Sequence, residues 1–347
     1  MNYSVTLTES DLALVEALQV SPRASWSAVS AATGMSPATA ARRWQRLAET
    51  GAAWVTGAPS VSVWNGQCVA YVDISCRPGQ SLCVAGVLAQ DRHALSVELT
   101  AGNADLFVTV AVADLRALSR YLLTRVAVLP GVTGIRTRIM THLYRDGSSW
   151  RLGALSRAAA SALPTIAVVE DPPRSAAHVH LERDEREILV QLGLDGRSSY
   201  AALAATAGVS EATARRRTAR LLATGAVLLR AEVSARLAGW TVPVILSMDA
   251  PTHRLAETAR ALARLRQVRL CATLAGTPPL VVTAWLHDIE DIHAFETTLA
   301  RALPDLTVMD RLITLRTVKR MGRLLNEDGC AVGAVPMDIW ADPLASD

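Results

Sequence analysis

Residues Leu181–Val227, LERDEREILVQLGLDGRSSYAALAATAGVSEATARRRTARLLATGAV, decide the fold, because the same pattern has already occurred once in the chain. Shifted back by 174 residues, the stretch lies without a gap over Leu7–Ala53, LTESDLALVEALQVSPRASWSAVSAATGMSPATAARRWQRLAETGAA, with about 18 of the 47 positions identical. The matches include Gly34/Gly208, Ser36/Ser210, Thr39/Thr213, Arg42/Arg216, Arg43/Arg217, Arg46/Arg220 and Gly51/Gly225. A period this long is not that of a solenoid repeat; it implies duplication of a larger unit.

Each copy reads as three helices. Leu181, Glu185, Ile188, Leu189 and Leu192 have the spacing of one helical face. Tyr200–Thr206 is a short second helix, and Gly208 permits a tight turn after it. Ser210 then caps a third helix that stops at Gly225. The first copy repeats the pattern with Gly34, Ser36 and Gly51, and Pro37 suits the first helical position, where its missing N–H costs nothing. Two short helices, a glycine turn and a third helix form the helix-turn-helix layout.

On the third helix Ala40, Trp44 and Leu47 share a packing face, as do Ala214, Thr218 and Leu221. The outward set is Ser36, Thr39, Arg42, Arg43 and Arg46 in one copy and Ser210, Thr213, Arg215, Arg216, Arg217 and Arg220 in the other. Arginine neutralises phosphates and reads guanine through O6 and N7, and a serine-capped helix start offers backbone N–H groups to a phosphate. An arginine-rich face taken alone is more often simply solvated. The glycine turn, the caps and the repetition shift the balance to double-stranded DNA as the partner.

After each three-helix unit the periodicity changes. Val69–Cys76, Gln80–Gln90, Ala94–Thr100, Asp105–Ala113, Asp114–Val128 and Val132–His142 alternate strand, helix, strand, strand, helix, strand. Val242–Met248, His253–Leu265, Gln267–Thr273, Leu280–Trp285, Asp288–Ala302 and Leu306–Leu315 do the same. The fold class expected is α+β: winged-helix-like helix-turn-helix domains alternating with ferredoxin-like βαββαβ domains of the dimeric α-β barrel kind, internally duplicated. Helix-turn-helix units occupy 1–57 and 179–232 and βαββαβ units 65–147 and 238–322. Residues 148–178 are a linker, with Pro172-Pro173 and a bridging helix near Ser156–Leu163, and 323–347 a loose tail. The apolar strands Val69–Cys76 and Val242–Met248 would be exposed edges if the halves stood apart. An intramolecular pseudo-dimer is therefore expected.

Composition bounds the alternatives. Half of the 347 residues are hydrophobic, and the net charge is only +3, so charge alone does not identify a nucleic-acid binder. Five cysteines at 68, 76, 83, 271 and 330 form no C-x-x-C pair and no Cys/His cluster, so no metal and no cofactor is expected. With neither a leader-like N-terminus nor an apolar run of membrane-spanning length, the expectation is a cytoplasmic protein without a membrane partner.

The run Leu7–Val15, followed by R-A-S-W, T-G-M-S-P-A-T and R-R-W-Q-R-L-A-E-T-G, resembles the N-terminus of Lrp/AsnC transcriptional regulators. Thr100–Thr141 is similar to that family's effector-binding domain, with T-x-G-x-x-D before a strand, then D-L-x-A-L, L-P-G-V and a last strand of T-R-x-x-x-T type. The second copy is weaker: Thr273-Leu-Ala-Gly276, Asp288-Ile-Glu-Asp, Leu303-Pro-Asp. The resemblance implies a sequence-specific transcription regulator that forms a homo-oligomer and responds to a small molecule, an amino acid or related metabolite, bound near the turn between the second and third strands. Carried over by position, the effector residues are Thr100, Gly102, Asn103 and Asp105, with Thr273 and Gly276 in the second copy, where Pro278-Pro279 replaces the Asn-x-Asp portion. A glycine there lets backbone N–H groups approach a carboxylate, and Asp105 would hold an ammonium group; the plain alternative is a hairpin turn. Some proteins resembling this family are instead siroheme-type tetrapyrrole decarboxylases that use His and Arg. His93, His142, His253, His287 and His293 are scattered here, and single histidines are more often surface or core residues than catalysts.

Overall fold

The computed structural model describes residues 6–60, 67–164 and 181–343; the Pro172-Pro173 segment lies outside them. The first copy opens with α1 (Glu9–Val20), α2 (Trp26–Thr33) and α3 (Pro37–Glu49). Each begins where a short polar side chain satisfies an orphan backbone donor: Thr8 in a reciprocal capping box with Asp11, Ser25 for α2 and Ser36 for α3. Gly34 ends α2 at φ +73°, the left-handed region that glycine enters without penalty.

β1 (Ala53–Pro59) follows, then β2 (Cys68–Cys76), α4 (Ser81–Ala89), β3 (Ala94–Ala101) and β4 (Leu106–Val112). The unit closes with α5 (Leu115–Arg120), which continues as a π-helical turn over Tyr121–Val126, and with β5 (Val132–Arg145). α6 (Arg157–Ser161) lies in the connection. The second copy repeats the order with α7 (Arg183–Leu194), α8 (Tyr200–Ala207), α9 (Glu211–Ala223), β6 (Val227–Val233), β7 (Val242–Asp249), α10 (Leu255–Ala263), β8 (Val268–Ala275), β9 (Leu280–Leu286), α11 (Glu290–Ala302) and β10 (Thr307–Arg320). β11 (Arg323–Leu325) and β12 (Ala331–Ala334) end it.

Within each copy the four strands take the ferredoxin-like order, β3-β4-β2-β5 and β8-β9-β7-β10. β5 pairs antiparallel with β8, and β10 pairs with both β7 and β3, so eight strands close into one barrel. Closure removes the edges that two separate sheets would expose. The edges that meet are not the ones expected from the sequence. β2 and β7, the apolar strands read as edges, are central in their sheets because neighbours flank both sides. The true edges are β3, β5, β8 and β10. Side chains sort by the two-residue period: Ala70, Val72 and Ile74 pack under α4 and α5, whereas Tyr71 joins Phe107, Ile245, Val281 and Leu312 between the sheets.

Each last strand runs past its own sheet and caps a helix of the other half. The Arg145 guanidinium donates to Ala263 O and Leu265 O at the end of α10, both at 2.7 Å. At the equivalent place Lys319 Nζ donates to Asp91 O just beyond α4, at 2.8 Å. Side-chain N–H donors at helix C-termini satisfy orphan carbonyls.

The tail expected to be loose is ordered over its described part. β11 extends the sheet from β10, β12 pairs with it, and Met337 and Ile339 are buried with Ala58, Val69, Leu95 and Ala111. Val335, Met337 and Ile339 are buried and alternate with the half-buried Pro336 and Asp338, the two-residue period of an extended segment with one face covered, but the run is too short to mark an element in the sequence. The described part of the connection is equally embedded. Trp150, Leu152 and Leu163 belong to the core of the first helix-turn-helix, and Glu16 accepts hydrogen bonds from Ala154 N and Leu155 N.

Candidate nucleic-acid interface and effector turn

The two helix-turn-helix units are paired through strands neither could use alone. β1 runs antiparallel to β6, from Ala53 opposite Val233 to Pro59 opposite Val227. α7 packs on β1 and α1 on β6, so each unit rests on the strand of the other copy. A reciprocal latch locks the pair. The Arg23 guanidinium donates to Gly196 O (2.8 Å) and Ser198 O (2.9 Å) and lies over the Tyr200 ring. Arg197, its counterpart 174 residues on, donates to Pro22 O (2.7 Å) and Ala24 O (3.1 Å) and lies over Trp26. Burial pushes the Arg197 pKa down to about 10, which still leaves it charged at neutral pH. These reciprocal contacts give the two helix-turn-helix units an approximate two-fold relation.

The arginines on those helices divide into two sets. Asp11, with no exposed surface, accepts from Arg43 at 3.0 Å and Arg46 at 2.8 Å. Burial works against its charge, but hydrogen bonds from Thr8 and Arg43 and the charge of Arg46 outweigh it, and the carboxyl is held below its ordinary range. In the second copy the buried Glu185 takes this place, 2.6 Å from Arg220 and 3.7 Å from Arg217, which also meets Asp184 at 2.9 Å. Arg43, Arg46, Arg217 and Arg220 thus tie the third helix to the start of the first. Arg46 and Arg220 nevertheless keep about half their side-chain surface in solvent, 54% and 48%.

Arg42 and Arg216 are exposed and have no carboxylate partner among the described residues. Arg215 stands 3.6 Å from Glu211 and over the ring of Tyr200. Ser36 and Ser210 are spent on their caps, accepting from Thr39 N and Thr213 N. Sequence reasoning could not separate the two arginine sets, because the carboxylate that claims Arg46 lies 35 residues away.

The predicted effector residues fall on the β3–β4 turn. Thr100 is buried; its hydroxyl donates to Ala104 O at 2.7 Å. Asp105 Oδ2 accepts from Cys76 N at 2.7 Å, fixing the end of β2. Asn103 is exposed. Gly102 has φ +144°, and a Cβ there would stand 2.7 Å from Arg311 O and Leu312 Cδ2, so this turn lies directly against β10 of the other half. Its counterpart differs. Gly276, at φ +118°, has nothing within 4 Å of such a Cβ, and Thr273 accepts from Thr141 Oγ1 of the first half at 2.8 Å. The histidines weighed in the sequence have separate surroundings: His93 meets Ala341 O, His142 lies against Tyr144, and His287 stacks on Trp240. Among the described residues no group of three His, Cys, Asp or Glu side chains could hold a metal ion, and no helix is long and apolar enough to cross a membrane.

Comparison with known families decides the assignment. A model described as the AsnC-type helix-turn-helix domain matches residues 7–48 and 183–222, and one described as the Lrp/AsnC ligand binding domain matches 69–150 and 243–324. The chain belongs to the Lrp/AsnC family. Both of the family's domains are present twice, in tandem. Relatives include uncharacterized HTH-type transcriptional regulators of Pyrococcus horikoshii, 28% identical over 144 residues (41% of this chain, 91% of the relative), and Pyrococcus abyssi, 28% identical over 118 residues (34% and 75%). Less than half of this chain thus spans most of such a relative, as duplication requires. Among solved structures, the siroheme decarboxylase NirDL aligns over 90% of this chain and 93% of its own in its co-complex with an iron-uroporphyrin III analogue, at 14% identity and TM-score 0.57. That likeness is one of fold. E. coli AsnC aligns over 40% of this chain and 94% of its own, at 20% identity and TM-score 0.36.

Proposed function

We propose that this chain is a sequence-specific DNA-binding transcription regulator in which one polypeptide supplies both recognition helices. The observation that carries the reading is the reciprocal pairing of the helix-turn-helix units through β1–β6 and the Arg23/Arg197 latch. Each unit completes the support of the other, and the third helix of each presents at an equivalent position an exposed arginine with no carboxylate partner among the described residues, Arg42 or Arg216. Arg42 and Arg216 read bases or phosphates together with Thr39 and Thr213. Arg43, Arg46, Arg217 and Arg220 hold the helices in place and lend their exposed N–H groups to the DNA backbone.

A small-molecule effector, an amino acid or related metabolite, binds at the turn of the first copy. Gly102 brings backbone N–H groups within reach of a carboxylate, and Asn103 and Asp105 are the polar groups that the second copy lacks. The turn abuts β10 of the other half, so occupancy there is felt across the pseudo-dimer.

Gel-shift titration at fixed salt on duplexes selected from random sequence tests the reading. The Arg42→Ala/Arg216→Ala chain is expected to lose affinity while its melting temperature stays that of the parent. Equal affinity in parent and variant overturns the roles given to these residues. The second reading, a siroheme-type decarboxylase, is favoured by the fold-level likeness to NirDL. Ultraviolet–visible titration with siroheme separates the two. An unshifted Soret band is expected, and a shifted band followed by loss of carboxylate from the tetrapyrrole would replace the regulator reading with the enzyme.

A further inference from the structure

The structure assigns half-site discrimination to residues 37 and 41 of α3 and residues 211 and 215 of α9, and we infer that the operator is an imperfect palindrome whose halves differ where these residues sit. The inference rests on the DNA-binding reading above.

Between Ser36 and Arg42 in the first copy and Ser210 and Arg216 in the second, five of seven positions carry the same residue. The backbone entries match as well. Ser36 and Ser210 have nearly the same dihedral angles and the same hydrogen bond to the amide three residues on. The two helices therefore present Thr39/Thr213 and Arg42/Arg216 alike, and the base pairs those residues meet are alike in both half-sites.

The exceptions are Pro37 against Glu211 and Ala41 against Arg215. These positions are four apart, hence neighbours on one helical face, and they lie in the N-terminal part of the helix, the part that reaches base edges in a helix-turn-helix. Pro37, Glu211 and Arg215 are all exposed, so none of them is required by the core. In the second copy the two substitutions form one unit. Arg215 sits 3.6 Å from the Glu211 carboxylate and is steadied over the ring of Tyr200. A lone carboxylate at a DNA surface is repelled by phosphates. Arg215 offsets that repulsion and leaves the acceptor atoms of Glu211 to face a base.

The chemistry of each edge then follows. A carboxylate accepts from the N4 amino group of cytosine, whereas an apolar surface such as the Pro37 ring and the Ala41 methyl packs on the C5-methyl of thymine. At the base pair facing this corner, the first half-site presents thymine and the second presents cytosine.

The test uses the full chain. Duplexes are selected from a random pool, and affinities are measured for the selected operator, for its first half-site doubled as a palindrome and for its second doubled. The parent prefers the mixed operator to either palindrome by about tenfold, the low end of what one direct base contact contributes. Glu211→Pro/Arg215→Ala gives the second helix the face of the first; proline is tolerated at this helical position, as Pro37 shows. That variant prefers the first half-site doubled, and the reciprocal Pro37→Glu/Ala41→Arg variant prefers the second doubled. Selection of a perfect palindrome by the parent, or preferences unmoved in both variants, overturns this inference alone. A parent chain that retains no duplex overturns the DNA-binding reading and this inference with it.

Discussion

The two places where a helix-turn-helix unit meets the barrel share a backbone plan and almost nothing else. Around β1 the junction is apolar: Ala58, Val69, Leu95 and Ala111 are covered by Met337 and Ile339 from the end of the chain. Around β6 it is ionic and aromatic. Glu232, with no exposed surface, meets Arg269 at 2.5 Å and Arg230 at 3.4 Å, and Arg230 reaches Asp146 at 2.6 Å. Arg269 lies over Trp285, 4.0 Å from its centroid, and Trp150 packs edge-on against both Trp285 and Trp240. Shifting by 174 residues pairs Arg230 with Thr56, Glu232 with Ala58, Arg269 with Leu95 and Trp285 with Ala111. A homodimer must build both junctions from one sequence. Duplication freed this chain to make one junction dry and the other charged, so the two recognition helices are held to one barrel by different forces.

The difference has measurable consequences, and the largest lies at the charged junction. Glu232 is the shared partner of two buried guanidiniums, and burial already lowers the Arg269 pKa to about 10 against the pull of Glu232. Glu232→Ala leaves both cations without that carboxylate and is expected to destabilise the fold by about 3–5 kcal/mol in a denaturant melt, the usual effect of removing one partner of a buried pair. A loss below 1 kcal/mol would show that the network is not a structural tie. At the dry junction Met337→Ala opens a cavity beneath the tail. The expected loss is about 2 kcal/mol, the low end for a buried methionine, because a terminal segment can shift to fill part of the space. Salt does not separate the junctions: neither loss should depend on ionic strength to the degree seen for surface pairs, since both sites are buried.

A pH-dependent effect separates the two helix caps. Arg145 and Lys319 perform the same task across the barrel, but burial brings the Lys319 pKa down to about 7. An unfolded lysine keeps its proton to a pH near 10.4. Between about pH 7 and 10 the unfolded chain therefore binds a proton that the folded chain has shed, and stability rises with pH across that window. In Lys319→Met this slope disappears. An equal slope in parent and variant would contradict the assignment.

Much of this architecture was legible in the sequence, and the parts that were not share a cause. The caps at Ser36 and Ser210, the glycine turns and the alternating strands are local signals, and the elements they mark formed within a few residues of their expected ends. β1 and β6 were not legible. AWVTGAP and VLLRAEV do not alternate, because their burial comes from the opposite copy, and Arg230 and Glu232 look like surface residues until Arg269 and Asp146 are beside them. The same applies to Met337 and Ile339 in the tail, and to Arg43 and Arg46, whose partner Asp11 belongs to another helix. The candidate effector turn was located by motif. What the motif did not convey is that Asp105 already accepts from Cys76 N and that Gly102 touches the other half.

In the proposed regulator a single chain reads two half-sites, one with each of its unlike halves. Hydroxyl-radical footprinting of one selected operator, with Arg42→Ala and Arg216→Ala as separate variants, tests it most directly. Each variant is expected to lose about 1–3 kcal/mol of binding and to thin the protection over one half-site, a different one for each variant. Loss of the same half-site by both variants, or equal thinning of both half-sites by either, would contradict it.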